Sequence, residues 1–163
     1  MSLRTTDHRR KAIAIAGNLL THKGECYYSE FGNRWDWRYH AGPTYPFTSD
    51  CSGTVTAINY WAGGNDPNWT DFAYGNTRTI LSHARQNKLI IARCQLIFGD
   101  FVLLGMEPDG VTPKHVVMAL QSTLFHKDPI CFSMGRQGDP SAVKLSVLES
   151  IGKPIFVANI TRK

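Results

Sequence analysis

The sequence predicts an α+β fold in which helices come first and a mainly antiparallel sheet follows. Two observations carry this. Up to about Gln86 the apolar residues recur at helical spacing, and beyond Lys88 they fall in short runs separated by Gly, Pro and Asp turns. The length, 163 residues, suits one domain spanning residues 1–163, and a domain of that size buries about two-thirds of its unfolded surface. It needs no staples. Cys26, Cys51, Cys94 and Cys131 are scattered, without C-x-x-C or zinc-finger spacing, so they read as free thiols rather than a metal site or disulfide framework.

A helix is expected from Thr6-Asp7, with Ala12, Ile15, Ala16 and Leu19 on one face and a stop at Lys23-Gly24. Arg9-Arg10-Lys11 before Ala12–Ala16 has the outline of a weak signal peptide, but the apolar stretch is short and alanine-rich, and the amphipathic helix is the preferred reading. Glu25 to Phe47 holds Tyr27, Tyr28, Phe31, Trp35, Trp37, Tyr39 and Tyr45 among glycines and prolines. It reads as irregular structure, either walling a groove or pinning a long loop.

Thr48 to Ala57 is the stretch on which the rest depends. Ser49 and Asp50 are good helix N-caps, and Cys51, Val55, Ile58 and Ala62 share one face of the helix that follows, up to Gly63-Gly64. Cys51 therefore sits in a first helical turn, where unpaired backbone N–H groups and the helix dipole favour thiolate and can hold an oxyanion. We read it as a nucleophile; the alternative is a buried structural thiol. Gly53 leaves room for a substrate or a neighbouring strand.

A turn cluster, Asn65 to Trp69, leads to a helix from Thr77 to about Gln86. Strands are then expected at Leu89–Ile91, Phe101–Leu104, Lys114–Leu120, Ile130–Met134, Val143–Val147 and Pro154–Ile160. Of the six histidines, His115 is best placed to serve Cys51 as base. It opens a strand and alternates onto the face of Val117 and Ala119, so it meets the thiol if that face packs on the Cys51 helix.

Charge narrows the partners only a little. Eighteen basic residues against 13 acidic give +5, which suits polyanionic surroundings such as nucleic acid, acidic lipid or wall polymers. No nucleic-acid motif accompanies the charge, and plain solubility is the preferred account. The longest apolar candidate, Lys88 to Leu104, is interrupted by Arg93 and Gly99-Asp100, so no membrane insertion is expected.

The ordered set Asp50-Cys51-Ser52-Gly53, Gly99-Asp100-Phe101-Val102 and His115-Val116-Val117-Met118 resembles the motif series of the NlpC/P60 cysteine peptidases, a papain-like family acting on bacterial cell-wall peptides. It is most similar to the peptidase domains of bacteriophage endolysins. Tyr27-Tyr28, Gly64-Asn65-Asp66-Pro67-Asn68 and Ser133 to Pro140 resemble further elements of that group, and the likeness covers roughly residues 12 to 160.

The resemblance implies a peptidoglycan endopeptidase with Cys51 as nucleophile and His115 as base. Its substrate would be a stem-peptide amide, D-isoglutamyl-diaminopimelate foremost. Tyr28, with Tyr39 as alternative, would stand near the nucleophile, and Asp50 and Ser52 would line the stem-peptide subsite. Neither cofactor nor metal is implied. The residue that orients the histidine falls, in the phage pattern, where this chain has Met134. His126, eleven residues after His115, is the provisional substitute, with Ser133, Gln137 or a backbone carbonyl as other options. The partners implied are the peptidoglycan stem peptide and a separate wall-targeting protein or domain. The place of action would be the wall, after release from the host cytoplasm or as part of a virion. A non-catalytic wall-binding or virion structural module with the same fold is the alternative.

Overall fold

The computed structural model describes residues 6–135 and 139–159. In chain order the elements are helix α1 (Thr6–Thr21), strands β1 (Cys26–Tyr28) and β2 (Phe47–Ser49), and helices α2 (Cys51–Trp61) and α3 (Thr77–Gln86). Strands β3 (Ile90–Ile91), β4 (Phe101–Leu104), β5 (His115–Ala119), β6 (Ile130–Met134) and β7 (Pro140–Lys144) follow, then helix α4 (Leu145–Glu149) and strand β8 (Pro154–Val157). The mixed α+β class is as the sequence predicts, although the short strands β1 and β2 precede α2 and the helix α4 falls between β7 and β8.

Six strands form one antiparallel sheet in the order β3-β8-β4-β5-β6-β7. Alternation along the strands separates two cores. Phe101, Leu103, Val116, Met118, Phe132 and Met134 face α1, α2 and α3. Val102, Leu104, Val117, Ala119 and Cys131 face the other way, onto Leu145 and Leu148 of α4. Each face is almost wholly apolar, so a polar side chain in these strands stands out.

Three local expectations change. The aromatic stretch is not simply irregular: β1 and β2 pair in parallel, Cys26 with Phe47 through Tyr28 with Ser49, and Gly32–Tyr39 is a 3-10 helix that buries Trp35 and Trp37. Val143–Val147 is not a strand. β7 ends at Lys144 and α4 begins at Leu145, because Leu145 and Leu148 at helical spacing cover the outer core. The last strand ends at Val157, and Ile160 lies outside the described residues.

A buried ion pair ties α1 to the sheet. Arg9 Nη2 donates to Asp100 Oδ1 at 2.8 Å with both side chains almost fully enclosed. Arg9 also donates to the carbonyls of Phe98 and Asn159, and Asn159 N donates to the same Asp100 oxygen. The charges are tolerable there because hydrogen bonds replace lost water.

Candidate active site

The site begins with a cap. Asp50 is extended, and its Oδ1 accepts from Gly53 N at 2.5 Å and from Ser52 Oγ at 2.9 Å. Its other oxygen is paired with Arg34 Nη1, and Arg34 Nη2 donates to Gly75 O at 3.1 Å. Ser49 Oγ donates to Arg34 O, so the 3-10 helix, the cap and the loop before α3 are clamped together. Gly53 is required by this clamp: a Cβ there would collide with Ser49 Oγ and crowd the Asp50 carboxylate.

Cys51 is the first residue of α2 and only 5% exposed. The backbone N–H groups of Val116, Ser52 and Cys51 itself favour the anion, but burial outweighs them and the neighbouring Asp50 charge adds to it. The thiol is pushed up to about 11. The N–H groups of the helix terminus act in the expected direction, and it is burial, which the sequence does not reveal, that outweighs them.

The Val116 contact follows from the sheet. Leu120 N donates to Ile130 O and Met118 lies opposite Phe132, so by alternation Val116 N–H points toward Met134. The paired register runs only over Met118 and Ala119, and the next N–H along is close enough to Cys51 to act on its thiol. The thiol thus reaches the place where β5 and β6 part.

His115 is the preceding residue. Its Nε2 lies 2.8 Å from Ser133 Oγ, and burial pushes the imidazole down to about 4. One expectation is corrected here. Val117 and Ala119 do not pack on α2; they face α4, and His115, opposite Leu104, follows their alternation. The imidazole and the thiol therefore approach the His115–Val116 peptide from two sides rather than from one face.

An open cleft of about 730 Å³ borders the histidine side, lined among others by Tyr28, Glu107, Lys114, His115, Ser133 and Asp139. Tyr28 OH donates to Glu30 Oε1 at 3.0 Å, and burial, followed by the closeness of Cys51, pushes its phenol well above the ordinary range. Tyr28 is thus near both partners. Tyr39, 80% exposed on the 3-10 helix, is not enclosed with them.

The remaining predicted residues are placed differently. His126 is exposed in the turn joining β5 to β6, at the end of that hairpin away from His115, so it is not the residue on the imidazole. That place belongs to Ser133. Met134, one residue on, is 1% exposed in the inner core, and Gln137 lies outside the described residues. Asp50 and Ser52 are buried and bonded to each other, which makes them a cap rather than a cleft lining. Arg34 and the Val116 N–H were not anticipated. No local pattern marks the Arg34 pairing, which spans an aromatic loop; the Val116 contact depends on where two strands separate.

Among the described residues no group of three or more His, Cys, Asp or Glu side chains is arranged to hold a metal, and no helix is long and apolar enough to cross a membrane. Searches against protein-family models and against curated proteins find no match to this chain.

Proposed function

We propose that the chain is a peptidoglycan hydrolase with a papain-like fold of NlpC/P60 type, a cysteine endopeptidase cleaving a stem-peptide amide, D-isoglutamyl-diaminopimelate foremost. The observation that carries this reading is the placement of Cys51 at the start of α2, the helix that packs on β5, with His115 opening that strand and bonded to Ser133. Neighbouring elements thus supply a candidate nucleophile, base and orienting group.

In the mechanism, an Nε2–H tautomer of His115 donates to Ser133 Oγ and leaves Nδ1 as the base. On this reading substrate binding first brings together the imidazole and the thiol, which rest on two sides of the His115–Val116 peptide, and Nδ1 then takes the Cys51 proton while sulfur bonds to the amide carbon. The N–H groups at the start of α2 receive the developing oxyanion. Collapse of the intermediate breaks the C–N bond, the imidazolium protonates the leaving amine, and water then hydrolyses the thioester to release acid and thiol. Because the resting pair is neutral, proton transfer accompanies attack rather than preceding it. The place of action on this reading is the bacterial wall, after release from a host cytoplasm or from a virion, with a separate protein or domain for targeting.

A second reading is a wall-binding or virion structural module with the same fold. It is favoured by one feature: Cys51 is buried, neutral and outside the cleft lining. Mass spectrometry of diaminopimelate-type peptidoglycan, incubated with wild type or Cys51→Ala, decides between them. Stem fragments with a new amine on the diamino acid, released by wild type alone, establish the endopeptidase and its bond. Retention on intact wall with no fragments from either protein establishes the module. A freed amine on the lactyl-linked residue instead assigns another amidase.

A further inference from the structure

The cleft beside His115 has one charged wall, and the mechanism above gives that charge no work. Glu107, shortly after β4, and Lys114, just before β5, both line it from the turn that joins the two strands. We propose that Lys114 determines specificity: its ammonium takes the free α-carboxylate of a D-isoglutamyl residue, so the site selects the acidic stem peptide over its α-amidated form. The choice of ligand rests on the stem-peptide reading.

The turn is fixed by its own hydrogen bonds. Lys114 N donates to Leu104 O at 3.1 Å, at the end of the β4–β5 ladder, and Glu107 N donates to Thr112 O at 2.7 Å. Asp109 closes the tip, accepting from Val111 N, Thr112 N and Thr112 Oγ1. The Lys114 stem lies against Gly105, where an added Cβ would meet its Cδ at 3.4 Å, and with φ of 62° the backbone there is one that favours glycine. Gly152 closes on the same backbone: a Cβ on it would stand 2.8 Å from Gly105 Cα. The lysine thus runs along a wall of backbone and stays exposed where it borders the cleft.

The charges along this wall are kept apart. Among the described residues Lys114 makes no ion pair, although Glu107 and Asp139 line the same cleft. An ammonium beside carboxylates with which it does not pair suits a ligand that carries both signs, and those carboxylates repel a phosphate. The stem peptide carries both. An isoglutamyl link uses the γ-carboxyl for the amide, which leaves the α-carboxylate free at the other end of a short methylene chain. The diamino acid beyond the bond carries an amine at its far end, which Glu107 and Asp139 suit. Lys114 immediately precedes His115, so a carboxylate on its ammonium holds the scissile carbonyl beside the candidate base. Amidation of that carboxylate leaves a neutral and weaker acceptor.

Calorimetric titration of the full chain carrying Cys51→Ala tests this, with L-alanyl-γ-D-glutamyl-meso-diaminopimelate and its α-carboxamide as the two probes. The acid should bind about tenfold more tightly than the amide, as expected of a hydrogen bond to a charged acceptor. In that background Lys114→Gln should bring the two to within about twofold, Lys114→Arg should keep the preference, and ~0.5 M salt should shrink it. Lys114 is exposed, so these substitutions leave the fold intact, and the ratio of the two affinities is a quantity that a merely structural lysine does not move. Equal binding of the probes, a preference that survives Lys114→Gln, or no saturation by the acid up to ~10 mM overturns the proposal. Cleavage of the same probes by the protein with Cys51 intact is scored separately. A Lys114-dependent preference without cleavage supports this inference and sinks the hydrolase reading, whereas cleavage of both probes at equal kcat/KM does the reverse.

Discussion

His115 Nε2 stands 2.8 Å from Ser133 Oγ, joining two strands that are no longer laddered together at that end. The hydroxyl holds the ring of the residue just before Val116, whose N–H favours the Cys51 anion. A serine in this place gives orientation without charge. It cannot stabilise imidazolium as a carboxylate would, which agrees with an imidazole that burial alone pushes down to about 4.

Ser133→Ala should therefore lower kcat on peptidoglycan by about five- to tenfold, the worth of one neutral hydrogen bond, with KM little changed. Ser133→Asp should do something a merely structural residue would not: move the acidic limb of the kcat profile to higher pH, by supplying charge to the imidazolium. His126→Ala should leave the rate within twofold of wild type. Steady-state release of stem fragments across pH measures all three, and a tenfold loss in His126→Ala would restore His126 as the orienting residue.

The same imidazole sets a pH dependence of stability. Folded His115 sits at about 4 against an ordinary 6.5, so the unfolded chain binds more protons between those values. Its contribution is complete above pH 6.5 and is lost as pH falls toward 4. His8, lowered in the same direction by burial, acts alike. Urea midpoints should fall over this window, and His115→Gln should flatten the slope relative to wild type. An unchanged slope would mean the ring is protonated normally in the fold.

Most of the architecture is legible in the sequence because its signals are local. Asp50 before an apolar helical face marks the start of α2, and Gly99-Asp100 and Pro108-Asp109-Gly110 punctuate the strands. Ser133 is legible too, through alternation: it is the one polar residue between Phe132 and Met134, so it faces away from them and onto the side of His115. Arg34 on Asp50 and Val116 on Cys51 are not legible, since each depends on how loops and diverging strands meet in space. Burial of Cys51 belongs with them; a helix terminus is visible in sequence, but the depth at which it is enclosed is not.

Alkylation should report that depth. With Cys94→Ser removing the exposed thiol, iodoacetamide should label Cys51 slowly at pH 7 and progressively faster toward pH 10, because the thiolate fraction stays small until pH nears about 11. Mass-mapped labelling rates give the apparent pKa. Rapid labelling below pH 7 would show that imidazole and thiol already exchange their proton in the free protein.

The Arg34–Asp50 pair gives the sharpest stability effect near the site. Both side chains are largely enclosed, and the carboxylate also serves as the α2 cap, so its two roles can be separated by substitution. Asp50→Asn retains a good N-cap but leaves the Arg34 guanidinium without its counter-charge, and should cost about 3 kcal/mol. Asp50→Ala loses the cap as well and should cost about 1 kcal/mol more. In an Arg34→Met background, where the charge is gone, Asp50→Asn should cost far less, since no buried cation is then stranded. Denaturant unfolding of the four variants forms a double-mutant cycle. Equal costs of Asp50→Asn in both backgrounds would assign Asp50 to capping alone, and would free Arg34 from its role in holding the aromatic loop against the nucleophile.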